Sequence, residues 1–182
     1  MIKKIILMIF FLVSLSSCTN DKKSEILKDR VQQMKQQEKM ETTIANNNKQ
    51  SVKAFFKALE NENVNNLIDL FDDKGKQVNP YHSDIFPKGA NGKEGIRNYW
   101  APVFPNFDGM KFEIEELYAM EDPNIVFIKY TGSIILKNNS GIYSNNYYST
   151  FKFNNEGKIV EYVEIFNPII AARGFGLIDK IK

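Results

Sequence analysis

The feature that most limits the fold is a change in hydrophobic period partway along the chain. Val52, Phe55, Phe56 and Leu59 fall at i, i+3, i+4 and i+7, one apolar face of a helix over roughly 46–60. Val64, Leu67, Ile68 and Phe71 repeat the pattern over 62–73, where Asn61 or Asn63 can cap the start. A short strand over 77–81 is closed by Pro80. A third helix is expected over 93–103, stopped by Pro102 and Pro105, which cannot donate the backbone bond a continuing helix needs. From Met110 onward the period is two. Met110, Phe112 and Ile114 alternate with Lys111, Glu113 and Glu115, slip at Glu115-Glu116, and resume at Leu117 and Ala119. A slip of one residue that keeps the apolar groups on one face predicts a β-bulge. Three further strands, over 125–136, 143–153 and 158–166, are separated by turns at Asp122-Pro123-Asn124, Asn138-Asn139-Ser140-Gly141 and Asn155-Glu156-Gly157. Helices first and a meander of strands after is the order of an α+β domain, not of alternating α/β units.

The N-terminus carries a different signal. Lys3 and Lys4 precede nine unbroken apolar residues, 5–13, and then Ser14-Leu15-Ser16-Ser17-Cys18. The apolar run is shorter than a membrane span requires and suits a secretory signal. Leu15-Ser16-Ser17-Cys18 resembles the bacterial lipobox, which implies cleavage before Cys18, lipidation of that residue (palmitate included) and a membrane-anchored lipoprotein of the bacterial cell envelope, on its periplasmic or surface side. The alternative is an ordinary secretory signal. Cys18 is the only cysteine and His82 the only histidine, so a single chain builds neither a disulfide framework nor a multi-histidine metal site. The net charge of +2 comes from the lysines of the signal; removing 1–17 leaves 22 basic and 22 acidic side chains, a balance that gives no case for nucleic-acid binding. Residues 18–45 read as the acylated cysteine followed by a polar, partly helical tether, in which Ile26, Leu27, Val31 and Met34 make only a weak stripe; a coiled-coil stalk is the sharper alternative. The folded domain is assigned to 46–182.

Several stretches of that domain carry a family likeness: Gly92-Lys93-Glu94-Gly95-Ile96-Arg97, Phe104-Pro105-Asn106-Phe107, Glu121-Asp122-Pro123-Asn124, the strand from Tyr143 to Phe151, Glu164-Ile165-Phe166-Asn167-Pro168, and a tail with Arg173 and Gly174. In this order they resemble the nuclear transport factor 2-like superfamily, its SnoaL-like branch, and within it the phenazine biosynthesis A/B family. The resemblance implies a strongly bent antiparallel sheet wrapped around three N-terminal helices, a cone with a pocket at its mouth, no cofactor, and a homodimer. It spans members that are cofactor-free isomerases, dehydratases or cyclases and members that only bind ligands.

The last strand puts Val160, Tyr162, Glu164 and Phe166 on one face. A carboxyl between two aromatic side chains loses solvation, which raises its pKa and suits it to moving protons near neutral pH. The resemblance implies the same acid/base role for Glu164, three residues before Asn167-Pro168. The competing reading is a paired or solvated strand-end glutamate. His82, after Pro80-Tyr81, sits either at a pocket rim or on a solvated loop. Where the phenazine proteins carry a functional histidine on the third helix, this chain has Tyr99, which donates a hydrogen bond but is a poor base. Trp100 and Tyr99 serve as pocket wall or as core. Tyr81, Tyr130, Tyr147, Tyr162, Phe166 and Asn167 complete the candidate ligand-binding set, and no residues are assigned to a metal. Three functions remain open: a module holding a small apolar or aromatic ligand; a cofactor-free proton-transfer enzyme using Glu164, assisted by Tyr99, Tyr162 or His82; and an assembly protein that uses the fold only to dimerise.

Overall fold

The computed structural model describes residues 2–138 and 140–181, with side chains from residue 22 onward. The side chains of residues 1–17, expected to be a signal, and of Cys18, and Asn139 of the second turn, lie outside the described residues. The chain forms two compact units, Met1–Thr42 and Thr43–Lys182. A single helix, α1 (Ile2–Glu60), supplies the first unit and opens the second. Residues 18–45, expected to be partly helical, are wholly helical, with a physical reason: 19–48 contains no Gly or Pro and is dense in Lys, Gln and Glu, all good helix formers. Gln37 Nε2 donates to Glu41 Oε1 (2.9 Å) one turn on. Ile26, Leu27, Val31 and Met34 are exposed. Among the described residues no helix is long and apolar enough to cross a membrane.

The second unit is α+β. After α1 come α2 (Val64–Asp69), β1 (Phe71–Val78), β2 (Gly89–Asn91), α3 (Gly92–Trp100), a 3-10 turn (Phe104–Asn106), β3 (Phe107–Ala119), β4 (Ile125–Leu136), β5 (Ile142–Phe153), β6 (Ile159–Phe166), α4 (Pro168–Gly174) and a C-terminal 3-10 turn (Ile178–Lys180). Asn63 caps α2, its side chain accepting from Asn66 N. The six strands make one sheet in the order β2-β1-β6-β5-β4-β3. Strands β3 to β6 are the expected antiparallel meander, and the β3 register shifts between Ile114 and Glu116, at the slip in alternation.

Several boundaries differ from the sequence expectation, and the strand expected over 77–81 runs instead from Phe71 to Val78. The second helix stops at Asp69, and the residues expected to continue it enter the sheet. Phe71 pairs in parallel with Ile159, and Ile159 N donates to Leu70 O (2.9 Å). A bulge between Phe71 and Lys76 then accommodates the polar run 72–75. Gly75 is required there, because a Cβ would lie 2.6 Å from the Ile159 carbonyl oxygen. The loop after β1 also returns as the short edge strand β2, antiparallel to β1. The third helix ends at Trp100, three residues before the expected limit of 103 and ahead of Pro102.

The core lies between the α1 face and the inner face of the curled sheet. Phe55 packs on Phe151 (5.1 Å between centroids) and Tyr162 (4.8 Å), and Phe56 on Tyr130 (4.5 Å). Two polar ties fix the helix. Buried Asn48 donates to Pro123 O (3.0 Å) in the β3–β4 turn, and Phe112 N donates to Glu60 Oε1 (3.1 Å). Helix and sheet together leave one end of the sheet's inner face, where α3, the 3-10 turn and α4 close in, unfilled.

Candidate functional site

That unfilled end is a cavity of about 400 Å³. Its walls are mostly apolar: Leu59 from α1, Trp100 from α3, Val103 after it, Phe107, Met110 and Phe112 from β3, Ile134 from β4, and Phe175 beyond α4. The polar groups on the wall are Glu164 on β6, Tyr99 on α3, Asn106 in the 3-10 turn, and Tyr143 and Tyr147 on β5.

Glu164 is placed by alternation on β6. Tyr162 and Glu164 face inward, while Ile165 is exposed on the outer face. Glu164 is half-buried and lines the cavity. Tyr162 Oη donates to its Oε1 at 2.9 Å and Tyr130 Oη to the same oxygen at 3.3 Å. Tyr130 Oη also lies 3.1 Å from Tyr162 Oη and 3.4 Å from Ser149 Oγ. Loss of solvation raises the carboxyl pKa, and the two tyrosine donors act against that rise. Burial and the neighbouring carboxylate together push the Tyr99, Tyr130 and Tyr162 hydroxyls well above their ordinary range, so all three stay protonated at neutral pH.

Tyr99 and Trp100 are held by a buried polar chain with no signature in the local sequence. Trp100 Nε1 donates to Gln77 Oε1 (2.9 Å), Gln77 Nε2 to Asn79 Oδ1 (3.4 Å), and Asn79 Nδ2 to Tyr99 Oη (2.9 Å). Since Tyr99 Oη accepts from Asn79, its own proton remains available for another acceptor. Both Tyr99 and Trp100 line the cavity. A second hydroxyl pair, Tyr143 and Tyr147 (3.0 Å apart), is fixed by Asn145 Nδ2 donating to Tyr143 Oη (2.9 Å).

The other candidates are dispersed. Tyr147 and Phe166 are on the cavity wall, whereas Tyr130 and Tyr162 are fully buried behind Glu164. Asn167 caps α4, its Oδ1 accepting from Ile169 N and Ile170 N. Tyr81 is 58% exposed and lines a separate groove with Asn167. His82 is not on the cavity wall; its Nδ1 accepts from Asp84 N (3.0 Å), with Asp84 Oδ1 at 3.6 Å. The wall residues unforeseen from the sequence include Phe86, Met110 and Phe175. Phe86 and Phe175 pack near each other (6.4 Å) although they come from a loop and from the C-terminal tail. Among the described residues no cluster of acidic, histidine or cysteine side chains is arranged to hold a metal ion.

A curled sheet around N-terminal helices, with a lined hollow at one end, defines a cone-shaped α+β domain of the nuclear transport factor 2-like type. The model of the SnoaL-like domain matches residues 52–162, and the chain belongs to that family. Solved structures agree in fold. A candidate isomerase from Bacillus subtilis superposes with a TM-score of 0.66 at 21% identity, covering 75% of this chain and 96% of its own. A phenazine biosynthesis-related protein from Pseudomonas aeruginosa gives 0.64 at 18% identity, covering 76% and 91%. A protein with a ketosteroid isomerase-like fold from Catenulispora acidiphila, in complex with trimethylamine, gives 0.59 at 19% identity, covering 70% and 92%. No curated protein matches the sequence.

Proposed function

We propose that this SnoaL-like domain holds a small apolar or aromatic molecule in its cone, and that Cys18 carries a lipid anchor tying the domain to a membrane of the bacterial envelope. The observation that supports ligand holding most is the cavity itself. A space of about 400 Å³ with largely aromatic walls and a few converging polar groups is what a small-molecule site requires. Trp100, the only tryptophan, lines it and is a built-in reporter. Saturable quenching of its emission by a flat phenol such as 2-naphthol supports the reading; loss of affinity in the Tyr99→Ala, Trp100→Ala double variant, followed by calorimetry, places the ligand. Unchanged affinity in that variant rules out this pocket.

A second reading is favoured by one arrangement, an acid with raised pKa and a tyrosine with a free proton on the same cavity wall. That pair suits cofactor-free proton transfer of the isomerase, dehydratase or cyclase kind, with Glu164 as acid/base and Tyr99 as hydrogen-bond donor. His82 has no place in this version. Under it, Glu164→Gln loses turnover while the fold survives. The domain pairs as a homodimer through the outer face of the sheet, where Tyr118, Tyr148 and Ile165 are exposed; equilibrium sedimentation of the soluble domain tests this, and a monomer at high micromolar concentration contradicts it.

A further inference from the structure

The cavity wall has an uneven charge inventory. Among the described residues it holds one carboxyl, Glu164, and no Lys, Arg or His. The two hydroxyl donors that reach this carboxyl both converge on Oε1, and Oε2 receives neither. The same wall carries aromatic rings from several elements: Tyr99 and Trp100 from α3, Tyr147 from β5, Phe166 from β6 and Phe86 from the loop before β2. Phe86 meets Phe166 edge-on at 5.6 Å, and Tyr99 meets Trp100 at 5.2 Å.

Resting on the ligand-holding reading above, we infer that the occupant of this cavity is a cationic amine, an ammonium group on an apolar or aromatic body, with its charge set between Glu164 and the surrounding ring faces. Three physical arguments meet here. A buried carboxylate without a counter-charge is expensive, and a bound cation supplies one. Aromatic faces attract a desolvated cation, and rings converging from different elements are the usual means of recognising an ammonium group. Anionic ligands meet the opposite situation: no basic group to receive them and an acid to repel them. The groups that face Glu164 from the elements packed around it are tyrosine hydroxyls, Tyr130, Tyr162, Tyr99, Tyr143 and Tyr147, all of which burial keeps neutral. None of them competes with the ligand for the charge. A bound cation would also favour the ionised carboxyl and so offset the rise that burial imposes.

The test compares two probes of the same shape, phenyltrimethylammonium and its uncharged carbon isostere tert-butylbenzene, titrated into the intact protein with Trp100 emission as readout. The inference expects the cation to bind at least about tenfold more tightly. In Glu164→Gln the expected result is a cation preference reduced at least severalfold, the remainder being what the rings alone supply. Equal or tighter binding of tert-butylbenzene by the native protein overturns the inference and leaves the apolar-ligand reading standing. A cation preference that survives unchanged in Glu164→Gln also overturns it. Failure of both probes to bind overturns the inference and the ligand-holding reading together. The native comparison decides the charge question even where the variant does not fold.

Discussion

Replacing Glu164 by Gln tests the buried acid through stability alone, without a known ligand. The amide keeps an acceptor for Tyr162 and Tyr130, so the packing and the hydrogen bonds to the side chain are retained. It removes the titration. In the folded native chain the carboxyl pKa lies above its ordinary value of 4.5, because burial penalises the charge. Below that ordinary value the acid is protonated in both folded and unfolded chains, and its contribution is at its fullest. As pH rises, the unfolded chain releases its proton first while the folded chain keeps it. Through that window native stability falls by about 1.4 kcal/mol per pH unit relative to the variant. Above the raised folded pKa the difference levels off. The nearby tyrosines are pushed upward from 10.0 and stay neutral throughout, so they add nothing to the difference. The outlying carboxylates held below their usual range, Asp73 beside Lys93 and Glu115 beside Lys129, titrate alike in both proteins and cancel. Urea unfolding midpoints at half-unit steps from pH 4 to 9 measure the effect. Parallel curves for native and variant, or a native chain that gains on the variant as pH rises, would refute the placement of this carboxyl.

Other perturbations follow from the same structure. Phe55→Ala, at the fully buried centre of the α1–sheet contact, should cost about 3–5 kcal/mol in denaturant unfolding. Gln77→Ala leaves the buried Trp100 indole N–H without its acceptor and should cost about 1–3 kcal/mol, with a shift of the Trp100 emission maximum. Gly75→Ala forces a Cβ to within 2.6 Å of the Ile159 carbonyl and should destabilise the β1–β6 pairing by about 1–3 kcal/mol, visible in amide exchange of both strands. Cys18→Ser should move the protein from the membrane fraction to the soluble one and abolish palmitate labelling in cells; a labelled, membrane-bound variant contradicts the anchor.

The domain's outline was legible because its signals are local. Val52, Phe55, Phe56 and Leu59 mark their helix face by spacing alone, and the slip at Glu115-Glu116 announces the bulge. Glu164 stood out because alternation put it between Tyr162 and Phe166. What stayed hidden depends on partners distant in sequence. Asp72, Asp73 and Lys74 have no strand pattern of their own; they form the bulge that the parallel pairing of Phe71 and of Lys76 with β6 closes on either side. Tyr130 reaches Glu164 across 34 residues and two strand registers. Gln77 and Asn79 looked like ordinary polar residues before a proline, yet both are buried and hold Tyr99 and Trp100 in place. Phe175 lies in a tail without periodicity and becomes wall only because α4 turns the chain back over the cavity.

The most direct examination of the whole account is a crystal structure of the domain soaked with 4-bromophenol, read through the anomalous signal of bromine. The account predicts a bromine peak inside the cone, between the Trp100 ring and the Glu164 carboxyl. Side chains filling that space, with bromine found only on the outer surface, would contradict it.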